Sequence, residues 1–198
     1  VYGDMLAKYG KDNLNVVVLD ADVASSTKSG VFGKAFPDRF FNVGIAEANM
    51  VAMAAGLATT GKIPFANTFA VFLTSIGLIG ARAFGSYSKL NIKLMGAYGG
   101  LSDAFDGPTH HSVEDIAIMR SLPNFEVLIA TDEVQTEWLV QHAIEKKGPM
   151  YIRLSRDASP TVYQPGTTFE AGKGKVVREG KDVTVFACGI MVGQAMEA

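Results

Sequence analysis

Apolar and polar positions along this chain fall into two alternating patterns. Asn15–Leu19, Arg39–Val43, Ile63–Ala66, Ile92–Ala97, Glu126–Ala130 and Met150–Leu154 are short apolar runs that read as strands. Between them, Tyr2–Tyr9, Ala46–Thr60, Ala70–Ser86, Val113–Leu122 and Glu133–Lys147 read as helices. The last has the clearest ends, because Thr131-Asp132 can cap its start and Lys146-Lys147-Gly148-Pro149 closes it. Near-continuous apolar strands alternating with helices predict an α/β fold, a mostly parallel sheet with helices on both faces. Such sheets place their sites at the carboxyl ends of strands.

Near Pro160 the pattern changes. Pro160, Pro165 and Gly166 read as a linker, Gly172–Asp182 as a hairpin-like segment, and Val183–Cys188 as a further strand. The expected division is a domain over 1–160, then a linker and the truncated start of a second, C-terminal domain over 161–198. The chain opens without methionine and stops in the first turns of a helix pattern, so it reads as part of a longer protein. From Ile63 to Ala81 there is no charged residue. That approaches the length of a membrane span, about 20 residues, but Pro64, Asn67, Thr68, Thr74 and Ser75 interrupt it. A helix buried in a core or subunit interface is expected there, not a membrane helix.

Composition narrows the function. The 198 residues are 48% hydrophobic and 19% charged, enough apolar surface for a packed core. A formal net charge of -2 argues against nucleic acid as the partner. One cysteine, Cys188, excludes a disulfide framework and a cysteine-rich zinc site, and fits a cytoplasmic protein. His110, His111 and His142 are too few for a classical metal cluster, and no metal site is expected on this chain.

Four stretches carry candidate chemistry. In Phe40-Phe-Asn-Val-Gly-Ile-Ala-Glu47, a strand ends, Gly44 turns, and an acid opens an almost wholly apolar helix. Glu47 could simply complement the helix N-terminus, worth about 0.3–1 kcal/mol. A carboxyl so placed is also desolvated, and carboxyls in such settings are disproportionately catalytic. Asn67-Thr-Phe-Ala-Val-Phe72 sets two aromatic rings three residues apart, on one face if helical. Ala97–His111 is a Gly-rich loop after a strand, containing Asp106-Gly-Pro-Thr-His110. Arg153-Leu-Ser-Arg156 ends another strand, and arginine suits phosphate oxygens through its planar fork.

Together these ordered motifs resemble the pyrimidine-binding domain of transketolases, over roughly residues 10 to 160. The resemblance is greatest to the C-terminal half of a transketolase split over two genes. It implies the thiamine diphosphate-binding fold and a thiamine diphosphate-dependent transferase of the pentose phosphate pathway. Such an enzyme moves a two-carbon ketol unit from a ketose phosphate to an aldose phosphate. The resemblance implies that Glu47 hydrogen-bonds the ring nitrogen of the cofactor's aminopyrimidine, so that the exocyclic nitrogen can take the thiazolium proton. It implies that Phe72, with Phe69, stacks on that ring. Asp106 and His110 are implied to contact the donor's hydroxyls, with His110 counted as catalytic beside Glu47. Arg156 and Ser26 are implied to meet the phosphate, and Asp22, in Asp20-Ala-Asp-Val-Ala-Ser-Ser26, to wall the site. Ser75 stands where many transketolases have a tyrosine. Nothing in the resemblance accounts for Ser102–Phe105.

No Gly-Asp-Gly metal motif is present. The resemblance therefore implies that thiamine diphosphate is shared, with Mg²⁺ and the diphosphate on a partner chain, the N-terminal transketolase subunit. A homodimer through the pyrimidine domains is also implied. The alternatives are a deoxyxylulose-phosphate synthase-type fragment, which would use pyruvate, and a non-catalytic subunit that keeps the fold.

Overall fold

The computed structural model describes all 198 residues. Six strands form one sheet: β1 (Val16–Asp20), β2 (Phe40–Asn42), β3 (Ile63–Phe69), β4 (Lys93–Ala97), β5 (Glu126–Ile129) and β6 (Met150–Arg153). Their order is β2-β1-β3-β4-β6-β5, and every pairing is parallel. The predicted α/β fold is the observed one. All five residues of β1 are buried, as are all five of β4, because helices cover the sheet on both faces.

Two apolar cores result. On one face α1 (Tyr2–Asp12), α3 (Gly30–Ala35) and α8 (Glu133–Glu145) bring Leu6, Phe32 and Leu139 against Phe65 and Met95. On the other, α4 (Glu47–Thr59), α5 (Ala70–Ser75) and α7 (Asp115–Ser121) bring Met50, Leu73 and Met119 against Leu19, Ala66 and Leu94. The cap read from Thr131-Asp132 forms: Asp132 Oδ1 accepts the Gln135 backbone N–H at 2.9 Å. No helix is long and apolar enough to cross a membrane.

The structure corrects several expectations. Residues 70–86 are not one helix. They form α5, α6 (Leu78–Gly80) and a π-helical turn at Ala81–Tyr87. Gly77 lies so close to the Leu73 carbonyl that a Cβ there would come within 2.8 Å of it, so the break between α5 and α6 favours glycine. Val183–Cys188 is not a strand, and Gly172–Asp182 is not a hairpin. Val183, Val185 and Phe186 are exposed, and no neighbouring strand pairs with their backbone. Instead the chain reaches α9 (Met191–Glu197), where Gly193 packs on Pro160. The helix expected from Val113 begins at Asp115, and Ser112 does not cap it. Two short helices, α2 (Ala24–Thr27) and α3, were missed, being too short to show a helical period.

Candidate active site

The candidate residues come from loops and turns at the carboxyl edge of the sheet. Glu47 is the first residue of α4 and only 3% exposed. Thr68, in the last turn of β3, donates its hydroxyl to Glu47 Oε1 at 3.4 Å. Successive strand side chains point to opposite faces, so Thr68 meets Glu47 while Phe69 turns to the other core.

Phe69 ends β3 and precedes α5, which carries Phe72, so the two do not share a helix as the spacing predicted. They still meet, with ring centroids 5.9 Å apart. His110 stands edge-on to both rings, at 5.8 Å from Phe69 and 5.1 Å from Phe72. Its Nδ1 lies 3.1 Å from the Thr109 hydroxyl. Tyr98, held at φ 60°, stacks on Phe69 at 4.6 Å. Nothing in the sequence singled out Tyr98.

The Gly-rich loop is fastened from behind. The Gly99 N–H donates to the Leu154 carbonyl, and the Gly100 N–H to the Ser112 carbonyl. A Cβ on Gly99 would lie 2.4 Å from Arg153 Nε, so only glycine fits there. Arg153 Nε donates to Asp115 Oδ2 at 2.8 Å, and the Tyr151 hydroxyl donates to the same oxygen at 2.7 Å. Burial, reinforced by Asp115, holds the Tyr151 phenol well above its ordinary pKa. His111 is spent on the loop itself, with Nε2 2.9 Å from the Asp103 carbonyl oxygen.

The segment 102–105, unmatched in sequence, surrounds Arg156. The Arg156 guanidinium pairs with Asp103, which is fully buried, and Asp106 approaches to 3.9 Å. The Ser102 hydroxyl accepts the Arg156 backbone N–H at 3.1 Å and donates to the Gly99 carbonyl at 2.9 Å. Tyr98 and Phe105 place their rings 5.1 and 5.0 Å from the guanidinium carbon. The bond to Asp103 holds the Arg156 proton more tightly than usual.

Next to this corner opens a cavity of about 600 Å³, lined by Ser26, Lys28, Tyr98, Thr131, Asp132 and Arg156 among others. Ser26 and Arg156, two predicted phosphate contacts, thus share one space. The turn bearing Ser26 hangs on Asp20, whose carboxylate accepts from Thr27, Ser29 and the Val23 N–H at 2.7–2.8 Å. Burial raises the Asp20 pKa, against those three hydrogen bonds. Asp22 does not line this cavity. It is exposed and accepts from the Asn42 amide at 2.8 Å.

The fold and these residues define an α/β domain with a buried acid, an aromatic cluster and a charged cavity on one edge. Residues 1–161 match the family described as transketolase, pyrimidine binding domain, and the chain belongs to that family. It is 44% identical, over its whole length, to a putative transketolase C-terminal section of Methanocaldococcus jannaschii, of which it covers 63%. It is 37% identical, again over its whole length, to the 6-deoxy-6-sulfo-D-fructose transketolase subunit SqwH of a Clostridium species, covering 61%. A solved structure titled split gene transketolase, inactive beta4 tetramer, matches 99% of the chain at TM-score 0.88 and 48% identity, with 63% of that protein covered. The chain therefore spans about three fifths of the length of these relatives.

Proposed function

We propose that this chain is the pyrimidine-binding half of a thiamine diphosphate-dependent transketolase, working with a separate subunit that binds the diphosphate. The observation that carries this reading is Glu47, buried at the head of α4 beside Thr68, at the strand end where Phe69, Phe72 and His110 form an aromatic cluster. A buried carboxyl and a cluster of flat rings at one strand end suit a heterocycle that both hydrogen-bonds and stacks. The Gly99 and Gly100 N–H groups are already bonded and offer no anion cradle in that loop, which supports a diphosphate site elsewhere. In this reading Mg²⁺ and the diphosphate belong to the partner subunit.

When bound, the cofactor supplies a nucleophilic carbon for the ketose carbonyl. The chain's own residues do the rest. Glu47 holds a proton at the pyrimidine ring nitrogen, and burial keeps water from competing for it. Phe72, backed by Phe69, offers the ring a flat surface. His110 and Asp106 meet the donor's hydroxyls, with His110 placed to move a proton at them. Arg156 and Ser26 face the far end of the sugar phosphate, while Asp22 stays outside their cavity. Residues 161–198 lead from the pyrimidine domain, 1–160, into a C-terminal domain. The exposed Ile45, Ile76 and Ile79 by α4–α6 give a like domain an apolar surface to pair with in a homodimer.

Calorimetric titration of thiamine diphosphate with Mg²⁺ tests the shared site. Binding is expected only when the diphosphate-binding subunit is present, and tight binding by this chain alone would refute the division of labour. In the assembled enzyme Glu47→Gln should lower turnover at least a hundredfold, the usual scale for a proton-transfer group. Unchanged turnover would favour the non-catalytic reading, and carbon dioxide release from pyruvate would favour the deoxyxylulose-phosphate synthase reading.

A further inference from the structure

Glu47 has one side-chain hydrogen bond on this chain, the one that Oε1 accepts from Thr68, and no basic side chain of the chain pairs with it. Both partners are out of solvent, Thr68 fully and Glu47 all but 3%. Thr68 sits in β3, an interior strand between β1 and β4. β-Branching restricts its χ1, so the hydroxyl is carried on a rigid element. Its β4 partner in register is Gly96, which brings no side chain to compete for that hydroxyl. The hydroxyl has no other acceptor, so its proton goes to Glu47. A glutamate carboxyl otherwise turns easily, because its last torsion is broad. Thr68 fixes that turn. It also makes the two oxygens unequal: a proton on Oε1 would leave the Thr68 proton unspent in a buried place, a cost that a proton on Oε2 avoids.

We propose that Thr68 is a positioning residue: it holds Glu47 Oε1 and so reserves Oε2 as the oxygen that meets a heterocycle's ring nitrogen. The inference rests on the reading of Glu47 as the acid that hydrogen-bonds the aminopyrimidine. Thr68 acts through Glu47 and not on the reacting atoms. Its bond survives the arrival and departure of a proton, since Oε1 accepts in the ionised and in the neutral acid alike. Glu47 can therefore exchange a proton at Oε2 without turning.

The first readout needs neither cofactor nor turnover. The protein is labelled with carboxyl-¹³C glutamate, the Glu47 signal is assigned by its loss in Glu47→Gln, and its shift is followed by NMR through a pH titration. A donated hydrogen bond favours the charged carboxylate, so its removal in Thr68→Val should move the midpoint up, by roughly 0.4–1 pH unit. Thr68→Ser keeps the hydroxyl and should return the midpoint towards the parent's. Valine keeps the branched shape of threonine, and Thr68→Ala repeats the test should Thr68→Val not fold. The second readout is turnover of the assembled enzyme. Thr68→Val should lower it about 2–12-fold, the worth of one hydrogen bond, and Thr68→Ser should restore most of it. In a Glu47→Gln background Thr68→Val should cost nothing more, because its effect passes through Glu47. A midpoint or a turnover that stays put in Thr68→Val, or a turnover loss that adds in full to that of Glu47→Gln, overturns the role of Thr68 while Glu47 stands. If Glu47→Gln itself leaves turnover intact, the reading of Glu47 fails and the inference falls with it.

Discussion

Arg153→Met probes the buried pair behind the Gly-rich loop. Asp115 is 1% exposed and Arg153 13%, with Nε to Oδ2 at 2.8 Å. Asp115 Oδ1 already lacks a partner. Removing the guanidinium leaves the carboxylate with the Tyr151 hydroxyl alone. Breaking one side of a buried pair costs about 3–5 kcal/mol. Over a chain of this size each kcal/mol moves the melting point by about 2–4 °C, so a drop of roughly 6–20 °C is expected. Methionine keeps most of the aliphatic bulk, so the loss reports charge rather than volume. Adding Asp115→Leu removes the stranded charge and should recover most of the loss, short of about 1–3 kcal/mol for the orphaned Tyr151 hydroxyl. Denaturant unfolding of the parent, both single variants and the double variant gives the coupling directly. A single variant within about 1 kcal/mol of the parent, or a double variant equal to the sum of the singles, would show that the pair does not hold the loop.

Three other outcomes are expected. Lys93 is fully buried, donates to the Lys146 and Gly148 carbonyls, and burial lowers its pKa to about 7 despite the nearby Glu126. The unfolded chain keeps that proton up to about 10.5. Between these values the unfolded state binds more protons, so stability should rise with pH from about 7 by up to about 2 kcal/mol by pH 9. Lys93→Met should flatten that rise in pH-dependent thermal unfolding. Asp132→Ala removes the α8 cap and the acceptor for the Val162 and Tyr163 N–H groups, so it should cost about 1–3 kcal/mol and speed proteolysis beyond residue 160. Phe72→Ala should weaken thiamine diphosphate in the assembled enzyme about 2–12-fold, the value of one lost stacking contact, measured by calorimetry.

Much of the fold was legible because parallel sheets write themselves as apolar runs. Val16–Asp20 and Lys93–Ala97 are buried on both faces, so their sequences needed no alternation to be recognised. Glu47 and the Phe69–Phe72 pair stood out because each sits beside a turn of unusual composition. Asp103, Phe105 and Tyr98 did not. Their roles depend on Arg156, 53 residues from Asp103, and no local pattern announces a contact at that separation. Arg153 was read only as part of a strand end, because its partner Asp115 opens a helix 38 residues earlier. The failed strand at Val183–Cys188 has a different cause. Its apolar run is real, but a strand also needs a neighbour, which composition cannot supply.

The stretch after Ala171 is held at both ends. Trp138 receives Phe169, with ring centroids 5.5 Å apart, and Ala171 packs on the first core. At the far end Gly189 lies against Ile129, and Val192 in α9 is buried. Between them, residues 173–188 are exposed. A segment with both ends fixed behaves as a closed polymer loop, and doubling its length costs only about 0.6 kcal/mol in closure entropy. A change of length here therefore acts on the sheet only through the two anchors, and the edge that carries Glu47 and Arg156 should keep its geometry.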